Sequence, residues 1–236
     1  MVMLLITSLF QWWYGDGIRE RLRIISGRLE SLIDYFSFGL LIKTLFSPYR
    51  QISAGSVQAA GVLWAKNYKI IKIYTHKLNP RSQDPQRSVR TDYELFVKKC
   101  ADNSINLESI DSKDHEIINF PVCDYIVEVS WRYKISQNII SKARSSAFGI
   151  HRGKLPEFAG AEPIKQALLH NEKVIVLSSH YLEKNIDTGQ VISSIEFPVD
   201  YNNKKNLEVN IQTIRDDITP LFSKLLFKTL NILENK

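Results

Sequence analysis

Two short motifs decide how this chain folds: FGIHRGKLPEFAG at positions 148–160 and NIDTG at positions 185–189. The apolar run at positions 147–150 predicts the end of a buried strand. The glycine and the proline that follow it force an irregular turn. His151 is therefore expected at the point where a sheet meets a loop, which is where open α/β sheets hold their functional sites.

The segment between the two motifs predicts a return to the same edge of the sheet. Residues 161–170 have helical spacing, residues 173–179 form a short β-rich run, and a loop containing Asp187 follows. A strand, loop, helix, strand and loop in this order bring Asp187 back to the sheet edge that holds His151. We therefore expect these two side chains to lie together.

The order of these residues resembles the formyltransferase family, whose members transfer a formyl group from 10-formyltetrahydrofolate to an amine. The family carries an Asn-x-His element, then Leu-Pro and a Gly, then an Ile-Asp-x-Gly loop after a helix and a strand. The matching residues here are His151, Leu155, Pro156, Gly160 and positions 186–189. One position departs from the pattern, because Gly149 stands where the family has its Asn.

The resemblance implies a fold, a formyl donor and a pocket. The implied fold is α/β, with a Rossmann-like open, mostly parallel sheet flanked by helices, and the implied donor is 10-formyltetrahydrofolate. Trp131 and Tyr133 would flank the pterin ring, although aromatic side chains of an ordinary core give the same pattern. The implied folate-binding residues are Trp131, Arg132, Tyr133, Leu182, Ile186 and Asp187.

The chemistry of formyl transfer gives the implied site residues their roles. Attack of an amine on a formyl carbon creates an oxyanion and a positive nitrogen, so the site needs a hydrogen-bond donor and a base. By the resemblance, His151 is the donor and Asp187 is the carboxylate. Loss of one oxyanion donor costs on the order of 10² to 10³ in rate, so the sequence predicts a slow enzyme that Gly149→Asn accelerates. Ser145 or Ser146 is an alternative second donor.

The remaining histidines and the cysteines indicate no further chemistry. We interpret His180, at the end of the strand before the Asp187 loop, as a structural residue that bonds this loop, with a catalytic role as the alternative. No group of residues has metal-ligand spacing, and the turn at Gly55 lacks the full dinucleotide fingerprint. We therefore expect neither a metal nor a nucleotide cofactor. The histidines without a partner pattern are His76, His115 and His170.

Local patterns predict further elements around the two motifs. Strands are predicted at 69–75, 105–110, 124–131 and 190–197. Helices are predicted at 88–101, 113–119, 207–218 and 221–233. A first strand before Gly55 is not visible, because residues 47–50 contain a proline and are poor strand formers. This pattern predicts a sheet that lacks a central strand.

Residues 1–54 are predicted to form a helical, apolar N-terminal segment, followed by a catalytic domain at 55–200 and closing helices at 201–236. The apolar runs of the first segment are interrupted and fall short of the roughly 18 residues of a membrane span. Such helices suit either a membrane interface or packing on a partner or on the catalytic domain. The segment also resembles the N-terminal region of uncharacterised bacterial membrane-associated proteins, which implies no activity.

Composition sets the outer limits. With 236 residues and 44% hydrophobic content, the chain has ample material for a packed core. The net charge of +6 is spread along the chain, which favours a solvated basic surface over a nucleic-acid footprint. Cys100 and Cys123 lack the spacing of a disulfide framework, so a reducing, cytoplasmic location is expected, with at most peripheral membrane contact.

The acceptor is open at this point. Methionyl-tRNA formyltransferases carry a further domain after the catalytic part, and only a short segment follows position 190 here, which disfavours tRNA. A small amine, such as an amino sugar nucleotide or glycinamide ribonucleotide, is the favoured acceptor. Two other hypotheses are a folate-binding domain without turnover and a membrane-associated scaffold built on residues 1–46. No oligomeric state is predicted.

Overall fold

The computed structural model describes residues 2–6, 68–79, 87–90, 93–199 and 206–236. Within them, seven strands form one sheet in the order β3-β2-β1-β4-β5-β6-β7. The strands are β1 (Val2–Ile6), β2 (Ile70–Thr75), β3 (Asn106–Ser109), β4 (Cys123–Val129), β5 (Ala143–His151), β6 (Val174–Tyr181) and β7 (Val191–Pro198). The helices are α1 (Tyr93–Asp102), α2 (Gln137–Ile140), α3 (Pro163–Leu169), α4 (Leu207–Ile218) and α5 (Leu221–Glu234).

The sheet is mostly parallel, as the sequence predicts. Strands β3, β2, β1, β4 and β5 all run in one direction. Strand β6 is antiparallel to β5, and β7 is antiparallel to β6. The predicted α/β class with an open sheet and flanking helices is therefore confirmed.

The first strand lies at the start of the chain, and two predictions about this region are wrong. Val2–Ile6 pairs with β2 on one side and β4 on the other, so the sheet does have its central strand. These residues are also not helical, contrary to the predicted helical segment at 1–54. Their unbroken apolar run is what a central parallel strand requires. Residues 7–54 lie outside the described residues, and the boundaries at 54 and 200 stay predictions.

The predicted helix at 113–119 is also wrong. The Ser112 hydroxyl accepts a hydrogen bond from the backbone N–H of Asp114, which closes a local turn, and Asn119 has a left-handed backbone with φ of 57°. Such side-chain bonds to the neighbouring backbone compete with helix formation. Helix α1 likewise begins at Tyr93, after the predicted start at residue 88, because Val89 forms a bridge with Leu78.

The two C-terminal helices pack onto the sheet as part of the main core. Helix α4 buries Ile211, Ile214 and Ile218. Helix α5 buries a stripe with helical spacing, formed by Phe222, Leu225, Leu226, Thr229 and Leu230. These apolar side chains join one cluster with residues of β4, β5 and β6.

In the part of the chain that the structure describes, no helix is both long enough and apolar enough to span a bilayer. The predicted peripheral membrane contact rests on residues 1–46, of which only Val2–Ile6 is described. It stays a prediction.

Candidate active site

The loop after β6 brings Asp187 back to His151. His151 is the last residue of β5, and because β6 is antiparallel, its end at Tyr181 lies beside Phe148. The strand β6 therefore does not itself end beside His151. Residues 182–187 fold back along the sheet instead, and they place the Asp187 carboxylate 3.3 Å from His151 Nδ1. The two predicted catalytic residues are thus in contact.

Asp187 is the centre of a small polar cluster. Its Oδ2 accepts a 2.9 Å hydrogen bond from the backbone N–H of Gly160, and its Oδ1 lies 3.4 Å from His180 Nε2. Burial alone would raise the pKa of Asp187, but the two histidines and the Gly160 N–H outweigh burial and lower it. The carboxylate is therefore ionised at neutral pH.

His151 has both ring nitrogens engaged. Nε2 lies 2.7 Å from the carbonyl oxygen of Phe158, to which it donates, and Nδ1 faces Asp187. Burial lowers the pKa of His151, against the opposing charge of Asp187. In this arrangement His151 can donate to a bound formyl oxygen only after Nε2 exchanges its bond with Phe158.

His180 binds the Asp187 loop, which is the contact expected of a residue that holds this loop in place. Its side chain is buried, and its Nδ1 lies 3.0 Å from the carbonyl oxygen of Tyr181. Burial alone would lower the pKa of His180, but interactions with the neighbouring carboxyl groups outweigh burial and raise it: the bond to Asp187 contributes most, and Glu128 contributes when it is ionised. The ring is therefore readily protonated beside two carboxyl groups.

Sequence reasoning missed Glu128 as a member of the site. It lies on β4 directly opposite Gly149 on β5, and its carboxyl accepts a hydrogen bond from the backbone N–H of Trp131. Burial raises the pKa of Glu128 to about 7. The signal in the sequence is an acid between two valines near the end of β4, where a charge is costly to bury.

The cluster opens into a cavity of about 460 Å³, within the usual range for small-molecule sites. Glu128 and His180 line this cavity together with the predicted catalytic and folate-binding residues: Trp131, Arg132, Tyr133, His151, Leu182, Ile186 and Asp187. The alternative donors Ser145 and Ser146 are not among the residues that line it. The Ile186 side chain is 59% exposed, so it offers an apolar surface rather than a buried contact. Arg132 is already engaged, because its Nη1 donates to the carbonyl oxygen of Leu78 at 2.8 Å.

One wall of the cavity is a group of stacked rings. The buried His76 ring stacks on Trp131, with centroids 4.3 Å apart, and meets Tyr133 edge-on at 5.0 Å. His76 also bonds the carbonyl oxygen of Ile110 through Nδ1. It therefore holds the two aromatic residues of the predicted pocket, a contact that its isolated position in the sequence did not indicate.

We expect His76 to remain neutral far below the usual histidine range, because burial lowers its pKa to about 4. An NMR titration should report this value. Since the unfolded chain takes up the proton near pH 6.5, stability should fall as pH drops from about 6.5 to 4, and less so in His76→Gln. A pKa near 6.5 in the folded protein would contradict the prediction.

Among the described residues, no group of three or more His, Cys, Asp or Glu side chains is arranged to hold a metal ion. Cys100 and Cys123 are buried free thiols. The polar groups of the site are therefore an Asp–His–His cluster with a neighbouring carboxyl group, at the end of a central strand in an open α/β sheet. This combination of fold and site is typical of proteins that bind small ligands at the carboxyl ends of the strands of an open α/β sheet.

Comparison with known proteins identifies the family. The sequence profile described as "Formyl transferase" matches residues 65–218, well over half of the chain. The chain belongs to the formyl transferase family. The predicted family resemblance is confirmed, whereas the resemblance of residues 1–54 to membrane-associated proteins is not shown.

The curated relatives include two kinds of protein. Methionyl-tRNA formyltransferase of Halothermothrix orenii is 26% identical over 159 residues, which cover 67% of this chain and 46% of the relative. Formyltetrahydrofolate deformylase of Escherichia coli is 24% identical over 149 residues, covering 63% of this chain and 52% of the relative. The chain thus spans about half the length of the curated relatives it matches.

Solved structures support the fold. Phosphoribosylglycinamide formyltransferase from Anaplasma phagocytophilum superimposes with a TM-score of 0.55 at 13% identity, covering 96% of this chain and 86% of the other. Formyltetrahydrofolate deformylase from Pseudomonas syringae pv. tomato also gives 0.55, at 16% identity, with 86% and 72% covered. At such identities the likeness concerns the fold alone.

Proposed function

We propose that this protein transfers a formyl group from 10-formyltetrahydrofolate to a small-molecule amine. The observation that carries the proposal is the contact of Asp187 with His151 and His180 at one wall of the cavity. The family match makes formyl chemistry the natural use of this cluster. The names of the deformylase relatives support formyltetrahydrofolate as the donor.

The cavity has groups suited to a folate. Trp131 and Tyr133 offer aromatic surface for the pterin ring, and Leu182 with Ile186 offers apolar surface from the opposite loop. Backbone groups near Leu182 are partly committed, since its N–H donates to the carbonyl oxygen of Ala147 at 2.9 Å. Recognition of the ring therefore depends on stacking and on the polar cluster.

Asp187 is the base in this proposal. As the amine attacks the formyl carbon, its nitrogen becomes positive and must lose a proton, and the ionised Asp187 carboxylate can accept it. When the tetrahedral intermediate collapses, the bond between the formyl carbon and folate N10 breaks, and the proton held by Asp187 passes to N10 as tetrahydrofolate leaves. Protonated His180 and the Gly160 N–H hold that carboxylate in place. His151, once released from Phe158, donates to the oxygen that gains negative charge.

Two arginines favour an acceptor that carries an anionic group. Arg152 and Arg215 both line the cavity, and neither forms an ion pair within the described part of the chain. Arg152 Nε is buried without a hydrogen-bond partner, and burial together with the Arg215 charge lowers the Arg152 pKa to about 10. A phosphate or carboxylate on the amine would relieve the repulsion between the two guanidinium groups.

A turnover assay with purified protein tests the proposal. We expect release of tetrahydrofolate in the presence of phosphorylated amines but not of their neutral counterparts. His151→Ala should lower the rate by a factor on the order of 10². His115→Ala is the matched control, because that ring lies at the surface, 3.8 Å from Glu108, and outside the cavity.

Three results of the assay would redirect the proposal. Release of formate without any amine would indicate a deformylase. Transfer only to methionyl-tRNA would indicate a methionyl-tRNA formyltransferase, like the relative from Halothermothrix orenii. If no product forms under any condition, the protein would be a folate-binding protein without turnover.

The cytoplasmic location with at most peripheral membrane contact stays a prediction, for which flotation with liposomes is the test.

A further inference from the structure

The space that a side chain at position 149 would occupy is already filled. A Cβ atom on Gly149 would overlap Glu128 Oε2, and it would lie 3.2 Å from Leu182 Cδ2 and 3.3 Å from His180 Nε2. Gly149 and His151 are two residues apart on β5, so side chains at both positions leave the same face of the sheet. The carboxyl group of Glu128 therefore lies where the family's Asn would begin.

We infer that Glu128 supplies the hydrogen-bond donor that Gly149 lacks. Its protonated carboxyl group donates from Oε2 to the formyl oxygen as that oxygen becomes negative. The inference rests on the proposed formyl transfer. It assigns a catalytic role to a residue of β4, whereas the family motif places the donor on β5.

The surroundings of Glu128 suit this role. Its Oε1 accepts the backbone N–H of Trp131, which leaves Oε2 directed at the space beside Gly149. An acid must keep its proton in order to donate, and burial raises the Glu128 pKa to about 7. The charged groups that face it are His180 and Arg152, which lower this pKa, and Asp187, which raises it.

This assignment changes the expectation for Gly149→Asn. The substitution alone would place a side chain on top of the Glu128 carboxyl group, so a gain in rate is no longer expected. The gain should appear only when Glu128 is shortened at the same time. Gly149→Asn combined with Glu128→Ala restores the donor on β5 and should recover most of the activity that Glu128→Ala loses.

Binding of 10-formylfolate and of folate, measured by calorimetry, tests the inference without turnover. The two ligands differ only in the formyl group, and one hydrogen bond is worth about fivefold in affinity. We expect the wild-type protein at pH 6 to prefer 10-formylfolate by about this factor and to lose the preference above pH 7. Glu128→Gln should keep the preference at both pH values, because an amide donor does not titrate in this range.

Glu128→Ala should bind both ligands equally, and Glu196→Ala, on the exposed side of β7, should behave like the wild-type protein. A preference that Glu128→Ala retains in full would overturn the inference while leaving the proposed function intact. A wild-type protein that binds neither ligand would overturn both. If Glu128→Ala does not fold, Glu128→Gln provides the test. A preference for 10-formylfolate that is still lost above pH 7 in Glu128→Gln would overturn the inference.

Discussion

Asp187→Asn is expected to lower formyl transfer by a factor on the order of 10³, because it removes the only ionised base that contacts both histidines of the described site. The amide is the same size as the carboxylate, so the loop geometry should be retained. Turnover and folate binding should be measured together. Asp217→Asn, at an exposed position of α4, is the matched control.

The same substitution should change how stability depends on pH. The Asp187 pKa is lowered, so its contribution is present above about pH 4 and is lost as pH falls below that value. The His180 pKa is raised, so its contribution is present below about pH 6.5 and is lost as pH rises through the folded-state pKa. Denaturant unfolding should therefore show that the Asp187–His180 pair contributes most to the free energy of unfolding between about pH 4 and 6.5. Asp187→Asn should remove this contribution and so flatten the stability maximum in that range. An activity loss below tenfold with an unchanged pH profile would contradict this role.

Gly189→Ala is expected to produce the largest loss of stability, about 3 kcal/mol or more, because the new methyl group would overlap a backbone atom. The overlap is with the carbonyl oxygen of Tyr181, which belongs to β6 and cannot rotate away as a side chain could. The glycine of the Ile-Asp-x-Gly motif is therefore required by a close backbone approach. Disturbing it should also displace Asp187 and abolish activity.

Gly160→Ala provides a matched control for Gly189→Ala. Gly160 has φ of 84°, but a Cβ there would meet no atom within 4 Å. Gly160→Ala should therefore lower the free energy of unfolding only by the penalty for a left-handed backbone, about 1 to 2 kcal/mol. Thermal unfolding of the two variants should separate them clearly, and equal losses would contradict the explanation by backbone overlap.

Short stretches of sequence predict most strands of the sheet and the two segments that carry His151 and Asp187. The motif around His151 is detected because an apolar run is followed by turn-forming residues, and the loop around Asp187 because it resembles the Ile-Asp-x-Gly motif of the family. Helix α5 was found because its apolar residues recur at helical spacing. These signals lie within short stretches of sequence, so they can be detected without knowing how the strands pair.

Local signals do not indicate which strands pair when those strands are distant in the sequence. The short apolar run of β1 is ambiguous between helix and strand, and only its pairing with β2 and β4 decides between them. The antiparallel direction of β6 is likewise a property of the assembled sheet. Glu128 escaped notice because its role depends on an opposite residue on another strand, and an isolated acid in a strand indicates nothing about what it faces.

The fate of a ¹³C-labelled formyl group shows whether the protein transfers formyl groups and whether Asp187 is required for the transfer. The protein would be incubated with labelled 10-formyltetrahydrofolate and a panel of phosphorylated amines, and the label followed by NMR. The label should move to an amine nitrogen in the wild-type protein and stay on the folate in Asp187→Asn. A label that remains on the folate with folded wild-type protein and every amine, or that moves equally fast in Asp187→Asn, would contradict this prediction.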